Sequence, residues 1–340
     1  MQELGAILDP LEDQRWAQFV DVARGATIFH HPAWLGLIAA RYRYPVAACA
    51  LLDGSGAVRS GLPVALVRGP GGRRLVAFPF SDLCPPLVAP GDVDALAAVA
   101  AELRERMAVP MEVRATLPGG ETGARYRHHV VQLAADVGEV ERRFRRSSVL
   151  RGVRRARREG LVAVRRTDRE ALERFFRMHV ATRSRLGAPT QPRRFILDLE
   201  RLFASGNGFV LLVSRGDDVA AASVFLHHAG VLTYKYGASN ARALGLRPNN
   251  LLFWDAIRWG CENGMHALDL GRSDLDQQSL REFKLSWGAE EEELVYTHLG
   301  PGAARSADRG IGGRALAAAL RRSPPVASRI AGELLYRYAG

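Results

Sequence analysis

Residues 231–270, VLTYKYGASNARALGLRPNNLLFWDAIRWGCENGMHALDL, decide how this chain is read. Val231 to Gly237 is rich in β-branched and aromatic residues and reads as a strand. Asn249 to Asn263 carries apolar residues at helical spacing, and Ala267 to Leu270 reads as a second strand. The loop between, Ala238 to Pro248, feeds the start of the helix. Free backbone N–H groups and the helix dipole favour an anion there. Arg242 and Arg247 flank the loop, and Gly245 lets the backbone approach a ligand. These three are the candidate cofactor-binding residues. An ordinary strand–helix connection is the competing reading. Asn249 and Asn250 stand at the helix start, where they cap it or contact substrate.

Beyond this unit lie Leu268-Asp269-Leu270-Gly271-Arg272-Ser273 and Phe283-Lys284-Leu285-Ser286-Trp287-Gly288. Of 47 basic side chains only Lys235 and Lys284 are lysine, and both fall between Val231 and Tyr296. A lysine is a compact ammonium whose pKa moves on burial, whereas an arginine is a wide, permanent fork. Alternation along a strand sets Lys235 opposite Tyr234 and Tyr236, so Lys235 and Tyr236 compete for the face that meets a cleft.

Outward from there, the second half reads as strand 161–165, helix 168–186 capped near Asp168, helix 195–204, and strands 209–214 and 220–227 about the turn Arg215-Gly216-Asp217-Asp218. A helix over 279–287 and a strand over 293–298 close it. The first half has the same flavour: helices at 11–23 and 32–43, strands 46–52 and 61–67 about Asp53-Gly54-Ser55-Gly56, a strand 74–78, a helix 93–107, and strands 111–115 and 128–133. Residues 137–159 read as one basic helix, with Val149, Val153 and Ala156 on one stripe and Arg151, Arg154, Arg155 and Arg158 on the other. The expectation is α+β: domains at 1–136 and 161–300, a basic helical linker at 137–160, and a helical tail at 301–340. The tail divides at Pro324-Pro325. Its second helix, 326–338, is a packing arm through Ile330, Leu334 and Leu335, or a weak membrane-surface anchor.

The net charge of +11 favours an anionic partner. Nine arginines and no acid lie between Arg142 and Arg158, which reads as a solvated linker face, an RNA-backbone contact or a surface for anionic polymer or lipid. Cys49, Cys84 and Cys261 are scattered without metal-type spacing, and no H-E-x-x-H occurs, so no metal is expected. No long apolar run and no leader-like start point to a membrane span or export; a cytoplasmic protein is expected.

Several motifs together resemble a known family. They are Tyr236-Gly237-Ala238-Ser239, Asn249-Asn250-Leu251-Leu252-x-Trp254, Asp269-x-Gly271-Arg272-Ser273, Phe283-Lys284-x-x-Trp287-Gly288 and Tyr296. With Pro32-x-Trp34-Leu35, Leu62-Pro63 and Pro79-Phe80-Ser81-Asp82, they are similar to the Fem-type, GNAT-related acyltransferases, nearest the CelD/BcsL-like acetyltransferases of cellulose biosynthesis. The resemblance covers most of residues 28–300. It implies two tandem GNAT folds, the second holding an acyl-transfer cleft. It implies an N-acyltransferase moving an acyl or aminoacyl group onto an amine, sometimes a hydroxyl, of a cell-envelope or polysaccharide precursor or a small metabolite. The donor would be an acyl-coenzyme A or a charged tRNA. A tRNA-dependent ligase and a silent GNAT-like module binding RNA or anionic polymer are the alternatives. Ala243 to Pro248 departs from the closely spaced glycines of a coenzyme A loop, and no long coiled-coil arm is present.

On this resemblance Lys284 lies in the cleft, where an ammonium binds a phosphate or steadies an oxyanion. Tyr236 would donate to a carbonyl or leaving group. Asp269 would orient Arg272 or act as base, with a structural ion pair as its other reading. Arg272 would clamp a phosphate or carboxylate. Arg183, Trp287 and Asp82 are further substrate-binding candidates, together with Asn249 and Asn250. The cytoplasmic location extends, through the tail helix, to the inner face of the membrane.

Overall fold

The computed structural model describes residues 4–69, 71–300 and 311–338. Residues 301–310, expected at the start of the tail, lie outside the described residues. The described chain forms two units, one of residues 4–126, 293–300 and 337–338, the other of residues 127–292 and 311–336.

The first unit contains β1 (Leu4–Leu8), α1 (Gln14–Val22), α2 (Pro32–Tyr42), β2 (Val46–Leu52), β3 (Val58–Gly69), β4 (Gly72–Ala77), α3 (Val93–Met107) and β5 (Met111–Val113). Then β6 (Glu121–Gln132) carries the chain into the second unit. There follow α4 (Val137–Arg142), α5 (Arg146–Arg158), β7 (Val162–Arg166), α6 (Arg169–Leu186), α7 (Arg193–Ala204), β8 (Gly208–Arg215), β9 (Asp218–His228) and β10 (Val231–Ser239). A 3-10 helix at Ala241–Leu246 leads to α8 (Pro248–Glu262), β11 (Ala267–Ser273) and α9 (Gln278–Ser286). Strand β12 (Glu290–Leu299) returns the chain to the first unit, and α10 (Ile311–Arg322), α11 (Pro325–Leu335) and a 3-10 helix at Tyr336–Tyr338 follow.

The two units repeat one plan. In the first, β1, β2, β3 and β4 pair antiparallel in order, β4 pairs parallel with β5, and β5 pairs antiparallel with β12. In the second, β7, β8, β9 and β10 pair antiparallel in order, β10 pairs parallel with β11, and β11 pairs antiparallel with β6. Two helices separate the first two strands of each series, and one helix, α3 or α8, makes the parallel crossover. The sixth position is filled out of turn: β6 follows β5 but joins β11, whereas β12 follows β11 but joins β5.

Local chemistry explains the elements. Asp168 caps α6 by accepting from Ala171 N, and Asp53 closes the β2–β3 hairpin by accepting from Ser55 N and Ala57 N. Residues 137–160 are not a free linker. The single expected helix breaks at Arg143–Arg145, and Val140, Phe144, Val149, Val153 and Ala156 are buried in the core of the second unit. Strand β1 went unread because five residues at a chain end carry little periodicity. The tail packs against α6, but not through the expected row. Ile330, Leu334 and Leu335 are exposed, while Ser328 and Gly332 face inward. Backbone contact decides this: Thr190 N donates to Ser328 O, and a Cβ on Gly332 would stand 1.7 Å from Thr190 O. All three cysteines are buried, and burial pushes the Cys49 thiol up to about 12. Among the described residues no helix is long and apolar enough to cross a membrane.

Candidate active site

The second unit opens where β10 and β11 part. Their parallel pairing covers only Val231/Ala267, Leu232/Leu268 and Thr233/Asp269. Beyond it, β10 stays with β9 as far as Ser239, and β11 stays with β6 as far as Ser273. Each strand carries an irregularity at the point of parting. On β10, Tyr234 faces Phe225 and Tyr236 faces Val224, leaving Lys235 as the extra residue of a β-bulge. On β11, the register shifts between Asp269 and Arg272, and Gly271 takes a left-handed φ of 69°.

The bulge overturns the alternation read from the sequence. The Tyr234 ring lies 4.9 Å from Phe253 of α8, whereas the Tyr236 ring lies 5.9 Å from His179 and 6.3 Å from Phe195. The two tyrosines therefore occupy opposite faces of the sheet. Tyr234 runs along its own strand, so that a Cβ on Gly237 would stand 1.7 Å from its hydroxyl. Burial raises the Tyr234 pKa, against a smaller opposing hydrogen bond from Ser223.

A cavity of about 360 Å³ fills the parting, lined by Tyr234, Asn249, Phe253, Leu270, Ser279, Leu280, Phe283 and Lys284. Beside it lies a depression of about 600 Å³ that shares Asn249 and Phe283. Its walls are Arg151 and Arg155 of α5, Arg247, and the first turn of α8. No side chain caps that turn: Pro248 is its first residue, and Arg247 precedes it with φ 63°. The dipole's positive end and three guanidinium groups thus meet in one place.

Polar groups cluster about the irregular end of β11. Lys284 Nζ donates to the carbonyls of Gly271 (2.8 Å) and Arg272 (3.0 Å), tying α9 to the irregular end of β11. Asp269 accepts from Gly271 N (2.7 Å) and bonds His128 Nε2 (2.8 Å). Glu291 accepts two bonds from Arg281 (2.8 and 2.7 Å) and one contact from His129 Nε2 (2.9 Å). The Arg281 hydrogen bond, with His129 assisting, holds the Glu291 carboxyl down at about 2. His129 is lowered, first by burial and then by the Lys284 charge.

The structure brings Lys284, Asn249, Asn250 and Arg247 to the two adjoining depressions. The expected caps, Asn249 and Asn250, do not cap; Asn250 Nδ2 instead lies 3.5 Å from Val149 O of α5. Tyr236 is on the far face. Asp269 is engaged by His128 and the Gly271 amide rather than by the Arg272 side chain. Arg272 is half-buried, and its carbonyl is one of the two that Lys284 holds. Trp287 is fully buried among Phe144, Phe253 and Phe283, so it is a core residue without surface to offer a substrate. Gly245 is exposed, its φ is ordinary, and a Cβ there would meet nothing within 4 Å. Arg242 lines a different depression. Arg183 Nε donates to Pro189 O, and the Asp82 carbonyl accepts from Tyr296 in the first unit. Sequence reasoning missed Tyr234, Phe253 and Ser279, and it read Arg151 and Arg155 as a solvated face, an RNA-backbone contact or an anionic-polymer surface without placing them beside the start of α8. Their signal was the helical stripe itself, which cannot say what stands opposite.

Residues 143–285 match the family of acetyltransferase (GNAT) domains. The parting of β10 and β11 lies within that match, and the second unit carries a GNAT domain. Among solved structures, the crystal structure of FemX is similar over 87% of this chain and 97% of its own, with a TM-score of 0.66 at 14% identity. The C-terminal domain of a putative lysylphosphatidylglycerol synthetase from Agrobacterium fabrum is similar over 86% and 93%, with a TM-score of 0.58 at 14% identity. A tandem GNAT protein from the clavulanic acid biosynthesis pathway is similar over 88% and 100%, with a TM-score of 0.51 at 14% identity. The chain as a whole shares its fold with these three proteins, a tandem GNAT protein among them. No curated protein matches its sequence significantly.

Proposed function

We propose that the chain is an N-acyltransferase that moves an acyl or aminoacyl group onto an amine, with the donor's reactive end between β10 and β11. One observation carries this reading: the bulge at Lys235 and the parting of the two strands leave a lined cavity that adjoins an arginine-walled helix start, with Asn249 and Phe283 common to both. Strand edges freed by the parting offer backbone groups to an extended donor arm, and the helix start with Arg151, Arg155 and Arg247 suits its phosphates. Both an acyl-coenzyme A and a charged tRNA present that combination. Amines of cell-envelope or polysaccharide precursors are the acceptors this reading favours. The fold shared with FemX and with the lysylphosphatidylglycerol synthetase domain supports that choice.

The chemistry is direct attack. The amine nitrogen bonds to the carbonyl carbon, and the C–S or C–O bond to the donor breaks. The departing thiolate or alkoxide takes a proton from the Tyr234 phenol, which regains one from the newly bonded nitrogen. Burial suits Tyr234 to this, because its raised pKa keeps it protonated. Lys284 is a positioning residue: its ammonium is turned onto the Gly271 and Arg272 carbonyls and fixes the mouth of the cavity. The test is to titrate the protein separately with acyl-coenzyme A mixtures and with charged tRNA. Thermal stabilisation and product formation with one donor name it, and a shift with neither sinks the assignment.

A further inference from the structure

A third depression, of about 650 Å³, has no lining residue in common with the two just described. Arg174, Arg177 and Arg185 reach it from α6, and Arg242 from the 3-10 helix. The α6 residues fall near one helical face, with Met178 and Ala181 between them as an apolar floor. Asp217, in the β8–β9 turn, is the one carboxylate in the lining. Arg174 is paired with Glu170 at 2.8 Å, and Arg185 reaches Ser239 Oγ at 3.4 Å. Arg177 and Arg242 form no ion pair among the described residues, and both are exposed.

Four guanidinium groups from two elements, set against Glu170 and Asp217, leave the depression net positive, and such a concave field favours an anion. Two of them are engaged and hold their geometry, and two are left to a ligand. We propose that this depression is a second phosphate-binding site, separate from the donor cleft, for a small molecule bearing a diphosphate or phosphomonoester. Arg177 and Arg242 grip the phosphate oxygens, and Arg174 and Arg185 add to the field. Met178, Ala181 and Val219 receive the ligand's apolar body. Asn240 and Asp217 stand at the rim for its hydroxyl or amino groups. The site stands on its own lining and does not depend on which donor fills the cleft.

Equilibrium binding to the full chain tests it, with inorganic pyrophosphate, a nucleoside diphosphate and a short hairpin RNA as probes. Pyrophosphate and the nucleoside diphosphate should bind and compete with each other. Arg177→Gln and Arg242→Gln should each weaken them about tenfold, as expected for loss of one charge-assisted contact. Arg201→Gln, an exposed change on α7 that lines none of the three depressions, should leave the binding unchanged. Because both substitutions fall on exposed side chains, an unaltered melting temperature will show that the fold is retained. Binding that responds to Arg247→Gln but not to Arg177→Gln or Arg242→Gln overturns the proposal. So does binding of the hairpin RNA with no measurable affinity for either small phosphate, which would mark a nucleic-acid track instead.

Discussion

Tyr234 and Tyr236 stand two residues apart on one strand yet face opposite sides of the sheet, Tyr234 against Phe253 and Tyr236 against His179. The extra residue at Lys235 makes the difference. The two side chains are therefore expected to behave differently when each loses only its hydroxyl. Tyr234→Phe should lower kcat by about a hundredfold or more, the range for a lost general acid, with little change in KM. Tyr236→Phe should leave kcat within about twofold. Equal losses in steady-state kinetics would remove Tyr234 from the chemistry.

Gly237 and Gly245 make a second contrasting pair. A Cβ on Gly237 meets the Tyr234 hydroxyl, so Gly237→Ala should displace that side chain, costing about 1–3 kcal/mol as overpacking does, and should depress transfer as well. Gly245→Ala meets open space and an ordinary φ, so its melting temperature should stay level or rise slightly, by the equivalent of about 0.5 kcal/mol. Thermal melts of the two variants decide it.

Lys284 is buried with its ammonium on two carbonyls. Lys284→Met should destabilise the protein by about 2–4 kcal/mol, because it strands both acceptors, and Lys284→Arg should not restore it, since the wider fork does not fit a compact site. Recovery of wild-type stability in Lys284→Arg, by denaturant titration, would contradict the contact geometry.

Acid should loosen the second unit in two stages. His129 is depressed in the folded state, so the unfolded chain binds its proton first, and stability begins to fall as pH drops below the ordinary value of 6.5. Glu291 is also depressed, from 4.5 to about 2, so its contribution is intact above pH 4.5 and is lost as pH falls towards 2. Screening by solvent limits that second stage to about 1 kcal/mol. Glu291→Gln should flatten the lower stage of a stability–pH curve and leave the upper one altered only through the lost His129 contact.

Arg151 and Arg247 meet at the start of α8. The double variant Arg151→Gln, Arg247→Gln should raise KM for the donor about tenfold or more with kcat nearly unchanged, and the salt dependence of donor binding should become shallower. A loss confined to kcat would move these arginines away from the donor's phosphates.

Much of the fold was legible. Helix α3 lies at its expected ends, Asp168 caps α6 as read, and the order strand, helix, strand around α8 is intact. Two kinds of information were not. A one-residue bulge leaves a strand looking like a strand, so the inversion of Tyr236 relative to Tyr234 had no local signature. Burial was also misassigned where small residues pack closely. Gly332 and Ser328 turned inward in α11 in place of Ile330 and Leu334, because backbone contact at Thr190 outweighed apolar area. Of the residues that line the two depressions, Lys284 and Arg247 stood out in the sequence because residue type and helix position mark them. Arg151 and Arg155 stood out as a basic stripe, but not their place, since the depression they wall is made with α8, about a hundred residues later in the chain.

The out-of-turn sixth strands fix an order of events during synthesis. Strand β6 is already made when β11 emerges, so the second series can close as soon as its own last strand leaves the ribosome. The first series cannot: the outer side of β5 waits for residues 297–299. At translation rates of about 5–20 residues per second that wait is on the order of ten to forty seconds. Throughout it β5 is a bare strand edge, the kind that recruits foreign strands. The half of the protein that is begun first is thus the half completed last, and any nascent chain released before residue 297 leaves that edge permanently open.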